Sequence, residues 1–180
     1  APGTLPHDPV VERLGELRCG DKSRVLRALD PDDPWEIILV PQVIRLLAWD
    51  EVSAAASAYL QRGGRLIIGQ IIDSLTDQEL DYNIRRRLPR LLSRVEDQQC
   101  VDGILSGLSD TRFEIRYQCG RALERLRRRH PELDYRAHAI LSAAERELHV
   151  NQAIWTSRRR IERRESSADG PDFLDEVLKD

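Results

Sequence analysis

Residues 84–95 read IRRRLPRLLSRV and residues 115–126 read IRYQCGRALERL, and both segments carry the same pattern of apolar residues. They align without gaps at an offset of 31 residues. The matched apolar positions are Ile84, Leu88, Leu91, Leu92 and Val95 in the first segment, and Ile115, Cys119, Ala122, Leu123 and Leu126 in the second. Their spacing places each set on one face of an α-helix. We therefore predict two equivalent helices, each with one buried face.

A second apolar pattern precedes each of these helices. Its positions i, i+3, i+4 and i+7 are occupied three times, by Val40, Val43, Ile44 and Leu47, by Ile68, Ile71, Ile72 and Leu75, and by Val101, Ile104, Leu105 and Leu108. A short polar turn with an acidic residue follows each run, at Asp50, Asp77 and Asp110. A weaker copy of the later helix begins at Val52. The unit is thus helix, turn, helix, and neighbouring units must stack because neither helix can bury its apolar face alone.

Helical patterns continue on both sides of this region, over residues 10–17, 23–29, 135–148 and 152–164. We divide the chain into N-terminal helices that form a degenerate repeat or cap (1–34), three helix pairs (35–129), a C-terminal helix pair (130–164), and a linker with the start of a further helix (165–180). The predicted fold is all-α, an α-α superhelix of about five antiparallel helix pairs. Pro89 lies inside the second helix of the middle pair, where we expect a kink.

Composition and charge restrict the possible classes of protein. Charged residues make up 33% of the chain and aromatic residues only 5%, which suits long amphipathic helices better than sheets. The net charge of −3 gives no overall attraction to nucleic acid or to an anionic membrane. No apolar run approaches the roughly 18 residues of a membrane span. Basic character is confined to residues 85–129, which carry 12 basic and 6 acidic side chains.

The cysteines and the start of the chain bear on cellular location. Cys19, Cys100 and Cys119 are odd in number and widely spaced, so we expect buried free thiols in a reducing cytoplasm rather than a disulfide framework. No signal peptide is visible. The chain starts with Ala1 and contains no methionine, so we expect a processed product or a fragment of a longer protein.

The turns resemble those of HEAT repeats, in which an Asp in the turn and an Arg at the start of the second helix link successive units in a ladder. The match is clearest at Asp110 with Arg116 and looser at Asp77 with Arg85. The first unit has serine at the position of this Arg, so the ladder should fail there. The resemblance covers residues 39–128, and it implies a HEAT-like α-solenoid in which these four side chains have structural roles.

A narrower resemblance is carried by four stretches, which are VPQVIRLLAWDEV (40–52), RRRLPRLL (85–92), DGILSGLSDTRFEIRYQCGRAL (102–123) and FLDEVLKD (173–180). They are similar to the HEAT-containing region of bacterial membrane proteins of the major-facilitator or ATP/ADP-carrier-like kind. This resemblance implies a soluble, cytoplasmic part of a larger bacterial membrane protein. It does not supply catalytic residues.

Arginines on the second helices, opposite the apolar face, form the one constellation that predicts a binding surface. They are Arg62, Arg86, Arg90, Arg94, Arg121, Arg125 and Arg128. Stacked helices lie about 8–10 Å apart, so aligned arginines would form a basic surface across the units. Guanidinium groups there would bind carboxylates or phosphates bidentately. The alternative is a solvated face with exposed ion pairs of little energetic consequence.

These observations favour a non-catalytic scaffold that binds a protein partner, with an acidic segment as the ligand of the basic surface. The alternative is a nucleic-acid-binding module that uses the same arginines. Against it stand the acidic net charge and the lack of an aromatic stacking platform near them.

No enzyme, cofactor or metal site is predicted. The histidines form no i, i+4 pair and no metal-ligand cluster, and they are His7, His130, His138 and His149. The sequence contains no nucleophile elbow and no phosphate-binding glycine loop.

Overall fold

A computed structural model of the protein describes residues 8–149. The chain divides into two compact units, Ala1–Arg136 and Ala137–Asp180. The α-helices of the first unit are α1 (Pro9–Arg18), α2 (Lys22–Ala28), α3 (Val40–Leu46), α4 (Asp50–Gly63), α5 (Ile68–Thr76), α6 (Tyr82–Arg85), α7 (Leu88–Leu92), α8 (Gln98–Gly107) and α9 (Phe113–Arg129). Short 3₁₀ helices, Ile37–Leu39 and Gly64–Ile67, lead into α3 and α5. In the second unit, residues 137–149 are helical and form α10.

The all-α prediction is confirmed for the part of the chain that the structure describes, which contains no β-strand. Between residues 8 and 149, no helix combines the length and the apolar character needed to cross a bilayer. The predicted helix over residues 152–164, the linker and the final helix start lie outside the described residues.

Aspartate side chains cap the start of several helices. Asp8, Asp21 and Asp97 each accept a hydrogen bond from a backbone amide two or three residues further along the chain, at 2.9 Å. Asp81 caps α6 in the same way. Such caps stabilise a helix because the amides of its first turn have no carbonyl partner within the helix.

The paired helices pack through the faces that the apolar spacing predicts. α3 contacts α4, α8 contacts α9, and α5 contacts both α7 and α8. α7 also contacts α4 and α9, so it joins the second helices of the neighbouring pairs. Ile84, Leu88, Ile115 and Leu123 are all at most 4% exposed. This burial confirms the predicted helix faces, although four of the predicted positions are only half-buried, namely Ile72, Val95, Leu105 and Leu108.

The predicted helix over residues 84–95 is interrupted, which corrects the expectation of a kink at Pro89. α6 ends at Arg85 and α7 begins at Leu88, so Pro89 is the second residue of a new helix. Proline fits there because first-turn amides need no carbonyl partner within the helix. Arg86 and Arg87 keep right-handed helical backbone angles across the break. The helix axis can therefore change direction between α6 and α7 without backbone strain.

Two of the three cysteines are buried as predicted. Cys100 and Cys119 are free thiols in the core, and burial raises the pKa of both to about 12. The prediction is wrong for Cys19, which is exposed. Cys19 is the C-cap residue that follows α1. The next residue, Gly20, has a φ of 73° and turns the chain at the surface toward α2.

Two glycines in α8 allow α5 and α9 each to pack closely against α8. A β-carbon built on Gly103 would lie 2.5 Å from Cγ1 of Ile72 in α5. One built on Gly107 would collide with Sγ of Cys119 in α9. Larger residues at these two positions would therefore force the helices apart or their neighbours out of place.

Substituting Gly103 by alanine is expected to lower the free energy of unfolding by about 1–3 kcal/mol, because overpacking displaces neighbouring side chains. Urea denaturation followed by circular dichroism measures this change. Gly120→Ala is the matched control, since nothing lies within 4 Å of a β-carbon there. That variant is expected to be neutral or more stable, because alanine favours helix over glycine. Equal losses in both variants would contradict the close approach of α8 and α5.

Candidate anion-binding groove

A groove of about 460 Å³ lies between α4, the segment 86–94 and α9. Its lining residues are Ser53, Ala54, Ser57 and Gln61 from α4, Arg86, Arg87, Arg90, Leu91 and Arg94 from the central segment, and Gln118 from α9. None of these lining residues is acidic. We call this feature the arginine groove. It brings together three members of the predicted basic surface.

The α4 residues that line the arginine groove are uncharged, and most of them have short side chains. Ser53 donates a hydrogen bond from Oγ to the Asp50 carbonyl at 2.9 Å, and Ser57 donates to the Ser53 carbonyl at 2.7 Å. Each hydroxyl therefore bonds to its own helix and extends little into the groove. The α4 residues that line the groove therefore offer no carboxylate to the arginines of the opposite wall, and the nearest α4 carboxylate, Asp50, is paired with Arg87.

Most guanidinium donors of Arg86, Arg90 and Arg94 have no partner among residues 8–149. Arg90 is exposed and makes no hydrogen bond or ion pair with any residue between 8 and 149. Arg94 donates to Oε1 of Gln61 at 2.6 Å. Arg86 lies over the Tyr82 ring, 5.7 Å from its centroid, and its Nε is buried without a hydrogen-bond partner. Because a guanidinium carries five N–H donors, the groove presents several donors to a ligand.

Arg121 and Arg125 of α9 add positive charge beside the groove. Burial lowers the pKa of Arg125, and the guanidiniums of Arg121 and Arg90 lower it further. In the described part of the chain, neither α9 arginine forms an ion pair. Like charges held together repel one another, and the nearby Glu124 carboxylate offsets only part of this effect on the pKa of Arg125. An anion bound among these side chains would reduce that repulsion.

Two predicted members of the basic surface are engaged elsewhere. Arg62 donates to the carbonyls of Asp30 and Asp33, at 3.5 and 2.7 Å. Arg128 pairs with Glu124 one helical turn earlier, at 2.6 Å between exposed side chains, and such pairs contribute little to stability. The members that the structure places in or beside the groove are Arg86, Arg90, Arg94, Arg121 and Arg125.

Arg87 lines the groove but is held by a neighbouring turn, a role that the sequence did not reveal. It forms an ion pair with Asp50 at the start of α4 and donates to the Leu47 carbonyl at the end of α3. The hydrogen bond from Arg87 lowers the pKa of Asp50. Arg87 therefore ties the second helix pair back to the first.

Arg85 joins the second and third helix pairs through a buried ion pair. Its guanidinium donates to the Asp110 carboxylate and, at 2.8 and 3.0 Å, to the Leu75 carbonyl. Both charged side chains are at most 2% exposed. Gln78 donates to the same Asp110 oxygen at 3.1 Å. The structure thus brings together two of the four side chains that the HEAT resemblance assigns to a ladder.

The other two ladder residues have different surroundings. Arg116 donates to the carbonyls of Asp110 and Thr111, at 3.0 Å each. Asp77 is exposed and accepts a hydrogen bond from the Glu79 amide at 2.9 Å. No arginine within residues 8–149 pairs with Asp77, because the first unit has Ser53 where the Arg would stand.

The partners of Asp110 keep its carboxylate ionised. Burial alone would raise the pKa of this group. Hydrogen bonds from the Arg112 amide, the Gln78 side chain and the Arg85 guanidinium more than offset burial, so the pKa is lowered. The ion pair is therefore a structural element of the fold rather than a source of protons.

An exposed aromatic pair lies on α9. Phe113 and Tyr117 stack with their centroids 6.0 Å apart, and they are 59% and 47% exposed. Arg116 lies over the first ring and Arg121 over the second. The expectation that the arginines have no aromatic platform nearby is therefore wrong. The i, i+4 spacing of the two rings was the available signal, since such residues meet on a helix surface.

The loops after α7 and α9 place one histidine between two carboxylates. Nδ1 of His130 lies 3.7 Å from Glu96 and 3.4 Å from Glu132. One ligand atom from each side chain could contact a divalent cation, because all three lie within 4.8 Å of one another. The spacing of the histidines in the sequence does not indicate this cluster at His130, and the prediction of no metal site stays a prediction. We assign no metal to it, since acidic side chains at a protein surface commonly lie close together without one.

The other histidines form no metal or catalytic cluster within residues 8–149. His138 and His149 are exposed on α10, where Nδ1 of His149 lies 2.7 Å from the Glu145 carbonyl. His7 lies outside the described residues.

No protein-family model, curated protein or solved structure matches this chain. The structure defines its class as an all-α protein of packed helices with an arginine-lined groove.

Proposed function

We propose that this chain is a HEAT-like scaffold that binds an acidic segment of a partner protein in the arginine groove. Binding involves no catalytic step and no cofactor. The proposal includes action in the cytoplasm, as part of a larger bacterial protein of the transporter-like kind that the four sequence stretches resemble. Long apolar spans in the parent reading frame would support that last point, and their absence would contradict it.

An α-α superhelix is the architecture that we propose for the helix pairs of the first unit. In support of it, α1 contacts α3, α5 contacts α8, α2 contacts α4, and α7 contacts both α4 and α9. Among the described helices, second helices thus neighbour second helices at all three junctions, and first helices neighbour first helices at two of them, α1 with α3 and α5 with α8. In such a stack each unit contacts mainly the units next to it.

The observation that supports the proposed function is that several arginines in and beside the arginine groove form no ion pair with the described residues. Arg90, Arg121 and Arg125 have no carboxylate partner among residues 8–149, and the groove lining contains no acidic side chain. Guanidinium groups bind carboxylates through two parallel charge-assisted hydrogen bonds. Aspartate and glutamate from a partner would therefore supply the charge that the chain itself does not provide there.

Single-stranded nucleic acid is a second candidate, favoured by the exposed stack of Phe113 and Tyr117. Bases stack on such rings while arginines contact the phosphates. The acidic segment remains the first choice because no aromatic residue lines the groove itself.

A fluorescein-labelled peptide of alternating aspartate and glutamate tests the proposed function. Fluorescence anisotropy at low salt should show binding that weakens as salt is added, since the contacts are ionic. Arg90→Glu should weaken binding about tenfold or more, because a repulsive charge replaces an attractive one. An unlabelled oligothymidylate, added as competitor, separates the two candidate ligands.

Arg45→Glu is the matched control for Arg90→Glu. Arg45 is an exposed arginine on α3 outside the groove, so the variant has the same net charge. Its affinity should change less than about twofold, the scale of general screening. Equal losses in the two variants, or no binding at low salt, would overturn the proposal.

A further inference from the structure

The free donors of the arginine groove come from several arginines rather than from one. Arg90 uses no donor within the described residues, Arg94 donates to Gln61, and Arg86 has a buried Nε without a partner. A carboxylate has one charge and two oxygens, which a single guanidinium can satisfy. A phosphate monoester has about −1.5 to −2 charges and three terminal oxygens at neutral pH. It can therefore bridge two or three guanidiniums at once.

The opposite wall leaves room for a compact dianion. Ala54 and Ser57 present short side chains to the groove, and the Ser57 proton is directed to its own helix. The volume of about 460 Å³ exceeds what a phosphate group fills, so peptide on either side of it can also be accommodated. The positive charges are supplied by arginine alone, and its planar fork matches phosphate geometry.

From this arrangement we infer that the arginine groove recognises a phosphorylated serine or threonine within the acidic segment of the partner protein. The inference rests on the proposed function and specifies its ligand. Arg90 would contact the phosphate together with Arg86 or Arg94. Arg121 and Arg125 would attract the flanking acidic residues.

Three labelled peptides of the same acidic sequence test this inference, with serine, glutamate or phosphoserine at the centre. We expect the phosphoserine peptide to bind at least about tenfold more tightly than the serine peptide. The glutamate peptide should fall between them. Inorganic phosphate at about 10 mM should displace the phosphoserine peptide, because the groove would bind that group directly.

Two variants assign the effect to the groove. Arg90→Gln replaces the charged guanidinium by a shorter, neutral amide, and it should reduce the preference for phosphoserine to about threefold or less. Arg45→Gln is the matched control and should leave the preference unchanged. Circular dichroism should show equal helix content in both variants, because both positions are exposed.

The outcomes separate the two proposals. Equal affinities for the glutamate and phosphoserine peptides, both lost in Arg90→Glu, would overturn the phosphate inference and leave the acidic-segment proposal standing. Absence of binding by all three peptides would overturn both. Tighter binding of oligothymidylate than of the phosphoserine peptide, with the same dependence on Arg90, would assign the groove to nucleic-acid phosphates and would also overturn the inference.

Discussion

Replacing Asp110 by asparagine is expected to lower the free energy of unfolding by about 3–5 kcal/mol. The substitution removes the charge that compensates the Arg85 guanidinium, and that guanidinium is at most 2% exposed. A buried charge that loses its partner carries the full cost of its desolvation. Urea denaturation followed by circular dichroism measures the loss as a lower transition midpoint with an unchanged slope.

Asp77→Asn is the control for this experiment because Asp77 occupies the corresponding turn of the second helix pair. It is exposed and pairs with no arginine between residues 8 and 149. Its removal should therefore cost less than about 1 kcal/mol. Similar losses for Asn at the two positions would show that the buried ion pair contributes nothing specific.

The difference in stability between the unmodified protein and Asp110→Asn should also depend on pH. The pKa of Asp110 is lowered in the folded protein, whereas an unfolded aspartate titrates near about 3.9. The charged carboxylate therefore stabilises the fold above that pH, and the stabilisation is lost as the pH falls through the lower folded pKa. A difference that persists unchanged to about pH 2 would contradict the assignment.

Leu88→Ala is expected to lower the free energy of unfolding by about 3 kcal/mol. Leu88 is 0% exposed and begins α7, the helix that contacts α4, α5 and α9. Truncation loses the transfer free energy of the buried atoms and leaves a cavity among these helices. Thermal unfolding by calorimetry measures the change.

Leu66→Ala is the matched control for Leu88→Ala. Leu66 is 72% exposed in the 3₁₀ helix that precedes α5, so its truncation should change stability by less than about 0.5 kcal/mol. A small loss at Leu88 would mean that α7 is not packed among its neighbours as described.

The helices could be predicted because their apolar faces are periodic. The positions of Ile84, Leu88, Ile115 and Leu123 alone indicate which side of each helix is buried, and the structure confirms it. The break between α6 and α7 was harder to predict, because a proline inside a periodic pattern is compatible with a kink or with a new helix. Only the packing of α6 and α7 decides between these two.

The sequence indicated which arginines form the site, but it did not indicate which atoms each arginine contacts. The spacing of Arg86, Arg90 and Arg94 suggested one surface, and the groove contains all three. Nothing in the sequence indicated that Arg62 would bond to the carbonyls of residues 30 and 33, since backbone acceptors leave no signature in side-chain patterns. His130 was missed for a related reason, because its two carboxylate neighbours come from different loops.

The three consecutive arginines before Leu88 make the middle of the chain sensitive to register. Arg85 binds forward to Asp110, Arg86 lines the groove, and Arg87 binds back to Asp50. An insertion or deletion of one residue here would exchange these assignments without altering the local composition. The ion pairs that connect the flanking helix pairs and the positive charge of the arginine groove therefore both depend on the register of this one short segment.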